Sequence, residues 1–241
     1  MTDPTLDVLA IGAHPDDVEL GCGGTLALLA RAGRRVGILH LTRGERGTRG
    51  GDAERLAEAA AAAAELGAGV EFLDCGDGGL RTGEAEEDAL IAVLRRRRPE
   101  LVLAPAPADR HPDHGRAHAL VEAACYYAGL RRRGPGEPHR PAAVFAYMQH
   151  DPFPPSYIVD VSTSWEAKRR ALAAYRSQLH QPGSERGDPA TKIATPEFAL
   201  AIEGRARHFG LLVGAAYGEP FWSRLPLAVA DPLALLPGGV R

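Results

Sequence analysis

Two short stretches concentrate the side chains that could do chemistry. Ala13-His14-Pro15-Asp16-Asp17-Val18-Glu19 and Asp109-Arg110-His111-Pro112-Asp113-His114 each set a His-Pro-Asp turn among further carboxylates and imidazoles. Two imidazoles and one carboxylate, with a position left for water, form the donor set of a catalytic zinc site. Neutral nitrogens and a single anionic oxygen leave the metal acidic enough to ionise water. A second aspartate next to a ligating one then supplies a base. A His-Pro-Asp turn can also serve only to cap the following helix, but two such loops, each with more donors than a cap uses, favour a shared metal site. Gly12 and Gly21-Cys22-Gly23-Gly24 imitate a dinucleotide-binding turn. The intervening His-Pro-Asp-Asp segment puts anions where a pyrophosphate would lie, which disfavours a nicotinamide cofactor.

Side chains on separate loops meet only if the elements before them are neighbours. Residues 7–13 form a continuous apolar run ending in Gly and Ala, followed by a polar turn and a helical pattern over 25–32. Residues 35–41 give a second strand, 42–51 a Gly/Arg-rich loop and 53–66 an Ala-rich helix. A short strand at 70–73, a helix at 84–98 stopped by Pro99, a strand at 101–104, the loop 105–113 and a helix over 115–127 continue the alternation. Such alternation predicts a Rossmann-like α/β fold with a mostly parallel sheet and helices on both faces, because right-handed crossovers lay helices on the sheet. Both ligand-rich loops then leave carboxyl ends of parallel strands, where open sheets bind ligands. Strands at 143–148 and 157–161, a helix over 165–179, a long loop over 181–195 and a helix over 196–217 follow. The tail from Glu219 is punctuated by proline. No repeat or linker divides the chain, so 1–241 is expected to be a single domain.

Composition narrows the function. With 28 Lys+Arg against 31 Asp+Glu, the formal charge is −3, which argues against a polycationic nucleic-acid scaffold. No apolar run approaches the ~20 residues that span a bilayer, and the first residues lack a signal-peptide pattern, so a soluble cytoplasmic protein is expected. Cys22, Cys75 and Cys125 are odd in number, widely spaced and without CxxC, so any metal must use His and carboxylate.

AHPDDVE at 13–19 followed by GCGGT, and RHPDH at 110–114, resemble the two signature motifs of the PIG-L/LmbE-like zinc N-deacetylases. LTRGERGTRG at 41–50, DRHPDHGRAH at 109–118, FAYM at 145–148, VDVS at 159–162, AYRSQL at 174–179 and IEGRARHFG at 202–210 are similar to the N-acetylglucosaminyl-malate deacetylases of bacillithiol biosynthesis. The resemblance implies His14, Asp17 and His114 as zinc ligands and Asp16 as general base. It further implies His111 as the group that stabilises the oxyanion or protonates the leaving amine, and Asp113 as the residue that orients His111. Glu19 would hold the loop through a backbone or arginine contact. The implied reaction hydrolyses the N-acetyl amide of an N-acetylglucosamine carrying L-malate; Fe(II) tolerates the same ligands as zinc. Alternatives are a deacetylase of another N-acetylglucosamine conjugate or chito-oligosaccharide, and a non-catalytic metal- or sugar-binding module.

Arg43, Arg46 and Arg49 in the second-strand loop, with Arg110, are expected to meet an anionic substrate, since guanidinium forks match carboxylates. Arg95 to Arg98 are expected as a solvated helix end, His118 as a surface histidine and Cys22 as a small packing residue. Apolar surface on the tail and the later helices points to a homo-oligomer.

Overall fold

Five-residue apolar runs give strands β1 (Val8–Gly12) and β2 (Val36–His40), buried along their whole length as expected for a sheet covered on both faces. The computed structural model describes residues 5–181, 187 and 189–235. Its further strands are β3 (Gly69–Phe72), β4 (Leu101–Pro105), β5 (Ala143–Tyr147), β6 (Tyr157–Asp160) and β7 (Gly218–Trp222). The helices are α1 (Asp17–Arg31), α2 (Asp52–Glu65), α3 (Glu84–Arg97), α4 (Pro112–Ala128), α5 (Trp165–Ala174) and α6 (Pro196–Leu212). The sheet order is β3-β2-β1-β4-β5-β7-β6, with β1 to β5 parallel and β7 antiparallel to both neighbours. The result is a single-domain α/β fold with a mixed, mostly parallel sheet.

Alternation along each strand divides the core into two layers. Val8 and Ala10 of β1 join α1, α2 and α5 on one face, while Leu9 and Ile11 join α3 and α4 on the other. The chain runs from β1 to β2 in one direction and returns to place β4 on the other side of β1. That reversal is a topological switch point, and both ligand-rich loops open from it.

Three expectations change. The helix placed at 25–32 is preceded by helical turns from Asp17, the two parts joined across a kink at Cys22, where Gly21 and Gly24 are close-packing positions. A Cβ on Gly21 would overlap the Tyr147 ring, and one on Gly24 would sit 2.9 Å from the Val161 side chain. The helices placed at 165–179 and 196–217 end at Ala174 and Leu212. The tail from Glu219 begins inside a strand: β7 inserts between β5 and β6 despite Pro220, a residue that argues against an interior strand. Of the loop at 181–195, residues 182–186 and 188 lie outside the described residues, and Lys192–Ala194 form one 3-10 turn. No helix among the described residues is long and apolar enough to cross a membrane.

Candidate metal centre

The turn after β1 bends at Asp16, which adopts φ 104° and ψ −24°. This left-handed conformation costs a non-glycine residue about 1–2 kcal/mol, and the residue that bears it is buried. Asp16 stands at the N-cap of α1 yet its side chain makes no capping bond, so the carboxylate is buried and uncommitted. Burial, reinforced by the charge of Asp17, raises its pKa to about 7. Asp17 is fixed by contrast. Its Oδ2 accepts from the His14 backbone N–H at 2.8 Å and lies 3.4 Å from His14 Nδ1. Its Oδ1 lies 3.2 Å from His114 Nε2 and accepts from Gln149 Nε2 at 2.5 Å. His14 and His114, drawn from two loops, therefore each face one oxygen of Asp17.

The far side of each imidazole is held by carboxylate. His14 Nε2 is 3.3 Å from Asp113 Oδ2 and 3.2 Å from Asp77 Oδ1. His114 Nδ1 is 3.0 Å from Asp109 Oδ1, and the other oxygen of Asp109 accepts the backbone N–H groups of His150 and Asp151. Metal-ligating histidines are oriented in this way, with the second nitrogen bonded to a carboxylate. Burial pulls the two imidazoles toward neutrality, but the aspartates outweigh it: His14 rises well above its ordinary pKa and His114 to about 9. Buried carboxylates in this number around two rings fit a divalent cation, and the groups His14, His111, His114 and His14, Asp77, Asp113 each bring potential ligand atoms within 4.8 Å of one another. The cluster could bind a metal.

His111 caps α4: its Nδ1 accepts from the Asp113 backbone N–H at 3.3 Å. The neutral ring then carries its proton on Nε2. Its ring centroid lies 4.8 Å from that of His14 and 4.9 Å from that of His114. Burial, with His14 and His114 beside it, holds its pKa below the usual value. Asp113 meets His111 through its backbone N–H and not through its carboxylate. That carboxylate accepts from Leu80 N–H at 3.0 Å and faces His14, so Asp113 orients His111 through its backbone and His14 through its side chain. Glu19 is held by a backbone bond, as expected, and by the Tyr175 hydroxyl, which donates to it at 2.9 Å; burial raises its pKa to about 8. The arginine that secures the loop is Arg55, which bonds the carbonyls of Pro15 and Gly44.

The expected arginines separate. Arg43 and Arg46 are exposed, and Arg46 serves through its backbone, donating to Asp77 Oδ2 at 2.7 Å. Arg49 Nε is bonded to the Ser177 carbonyl at 2.7 Å. Arg110 lines a groove of about 530 Å³ that also contains Gln149 and His150, the latter stacked on His114. Arg95 is buried and bonds five carbonyls, including Ala128 and Leu130 at the end of α4, instead of lying solvated. His118 is buried too, its Nδ1 2.8 Å from the Pro105 carbonyl, because α4 turns that face onto β4. Sequence reasoning missed the roles of Asp77, Asp109, Gln149 and His150. Gln149 and His150 follow β5 at the same sheet edge, a signal that was available; Asp77 sits in a Gly-Asp-Gly-Gly turn with no motif of its own.

The sequence profile of the PIG-L family, described as GlcNAc-PI de-N-acetylase, matches residues 9–125. The diacetylchitobiose deacetylase of Thermococcus kodakarensis is 32% identical over 229 residues, covering 88% of this chain and 80% of the relative. The crystal structure of a conserved protein from Thermus thermophilus superposes with TM-score 0.84 at 40% identity, over 95% of this chain and 99% of that one. That of the 4-carboxy-2-hydroxymuconate hydratase of Pseudomonas putida gives 0.78 at 26% identity, over 95% and 99%.

Proposed function

The chain belongs to the PIG-L family of GlcNAc-type deacetylases, and from that premise we propose that it is a zinc-dependent hydrolase removing the N-acetyl group from N-acetylglucosaminyl-L-malate, a step of bacillithiol biosynthesis. The observation that carries the reaction type is the division of labour between adjacent aspartates. Asp17 is fixed between His14 and His114, while Asp16 beside it is buried and its side chain makes no capping bond.

His14, Asp17 and His114 would hold the zinc, which when bound supplies Lewis acidity to the acetyl carbonyl and acidifies water. Asp16 takes a proton from the attacking water, a role suited to a carboxyl whose pKa lies near neutrality. His111, with Nδ1 occupied by the Asp113 N–H, offers its Nε2 proton to the carbonyl oxygen or the departing nitrogen. Asp77, Asp109 and Asp113 hold the imidazoles in place, and Gln149 fixes Asp17. Water and amide give acetate and the free amine. The malate assignment draws support from the second-half segments quoted above and from the basic groove at Arg110. The reading extends to a cytoplasmic homo-oligomer, supported by the exposed Leu200, Leu211, Leu212 and Leu225.

The test is acetate release from N-acetylglucosaminyl-malate, free N-acetylglucosamine and diacetylchitobiose, with and without chelator. Preference for the malate conjugate, abolished by chelator, supports the assignment; preference for chitobiose replaces the substrate. The hydratase among the structural relatives favours a second reading, addition of water to a carbon–carbon double bond of a carboxylated substrate. Hydration of such a substrate without acetate release from any amide would establish it.

A further inference from the structure

Arg205 lies on the face of α6 that borders the groove at Arg110. Its position follows from a break in α1. Cys22 has φ −143° and ψ 20°, outside the helical range, and the N–H of Gly24 is given to Glu219 at 2.9 Å. The Leu20 carbonyl, which that N–H would otherwise bond, is left free to receive Lys168 Nζ at 2.9 Å and Arg205 Nη2 at 3.2 Å. One donor of the guanidinium is thereby anchored. A guanidinium has five N–H donors, and among the described residues no carboxylate lies within ion-pair distance of this one. Burial lowers its pKa, as for a cation taken from water without full compensation.

The surroundings favour an anion. Arg110, Lys192 and His208 share the groove with Arg205, against the single carboxylate of Asp151. His208 follows Arg205 by three residues and so stands beside it on the helix. Leu20, Met148 and Phe209 form an apolar wall, and Gln149 and His150 join the groove to the metal centre.

We propose that Arg205 reads an anionic oxyacid group on the aglycone of the substrate, its free donors forming a forked, charge-assisted contact while Arg110 and Lys192 supply the rim. This rests on the deacetylase reading for the sugar end alone; selectivity for the charged end is moved from the second-strand loop to α6.

The experiment compares the full-length wild type with Arg205→Gln and Arg205→Lys on N-acetylglucosaminyl-malate, N-acetylglucosamine 1-phosphate and the uncharged methyl glycoside. Arg205→Gln is expected to lower the ratio of kcat/KM for an anionic over the uncharged substrate by about 10- to 100-fold, chiefly through KM, with part restored in Arg205→Lys. The larger fall tells carboxylate from phosphate. A wild-type ratio in Arg205→Gln for both anions overturns the proposal. Equilibrium titration of N-acetylglucosaminyl-malate in the presence of chelator gives the same answer without turnover. Binding weakened by Arg205→Gln with no acetate released by the chelator-free enzyme would leave the anion site standing and remove the deacetylase reading, whereas unchanged binding overturns the anion site.

Discussion

Two clusters of buried charge flank α1, and they are built to opposite rules. Behind the helix, Glu219 of β7 accepts from Gly24 N–H, Thr25 N–H, the Thr25 hydroxyl and Lys168 Nζ, while Lys168 also bonds the Leu20 carbonyl. Cation and anion balance there, and the pair caps the break at Cys22 while tying β7 and α5 to α1. In front of the helix, His14, Asp17 and His114 with Asp77, Asp109 and Asp113 carry more carboxylates than cations, and Asp16 beside them, on a left-handed backbone, makes no side-chain bond among the described residues. A low-dielectric interior makes unpaired charge expensive. The protein satisfies it fully where charge only holds elements together and leaves it open at the cluster that could bind a metal.

The largest effect expected from breaking this contrast is at the ligands. His14→Ala, Asp17→Ala and His114→Ala should each lose bound metal and all hydrolytic turnover while still folding, as measured by elemental analysis beside circular dichroism. Stoichiometric metal in these variants would remove the ligand assignment. The rear cluster should respond in stability instead. Lys168→Met leaves the Glu219 carboxylate buried without its cation and should cost about 3–5 kcal/mol, visible as a lowered denaturant midpoint. A midpoint equal to wild type would mean that the pair holds nothing. A smaller effect should sharpen the comparison: Asp109→Asn, which weakens the support behind His114, should reduce metal affinity about 10- to 100-fold in a chelator competition, with little change in the unfolding midpoint. Unaltered affinity would show that the His114 ring is held by packing alone.

How far this was legible in the sequence follows the same division. The parallel half was readable because each strand is an apolar run closed by a turn and each loop carries its ligands in one short motif. His14, Asp16, Asp17, His111 and His114 accordingly converge where two strand ends predict. The supports were not readable. Asp77 lies in a turn with no motif of its own, the pairing of Asp109 with His114 inside one stretch is set by the turn and not by spacing, and Arg205 is anchored where a kink in α1 frees the Leu20 carbonyl. β7 was hidden by Pro220, and its burial depends on long-range contacts with β5 and β6 that no local pattern records. Gly21 and Gly24 look like helix breakers until the Tyr147 ring and Val161 are seen against them.

The central claim is that adjacent aspartates divide the work, Asp17 holding metal and Asp16 moving the proton. It is tested most directly by measuring bound metal and acetate release together in Asp16→Asn. The account predicts metal content equal to wild type with kcat for the N-acetylated sugar lowered about 10²- to 10⁴-fold. Loss of the metal from Asp16→Asn, or full retention of kcat in it, would contradict the account.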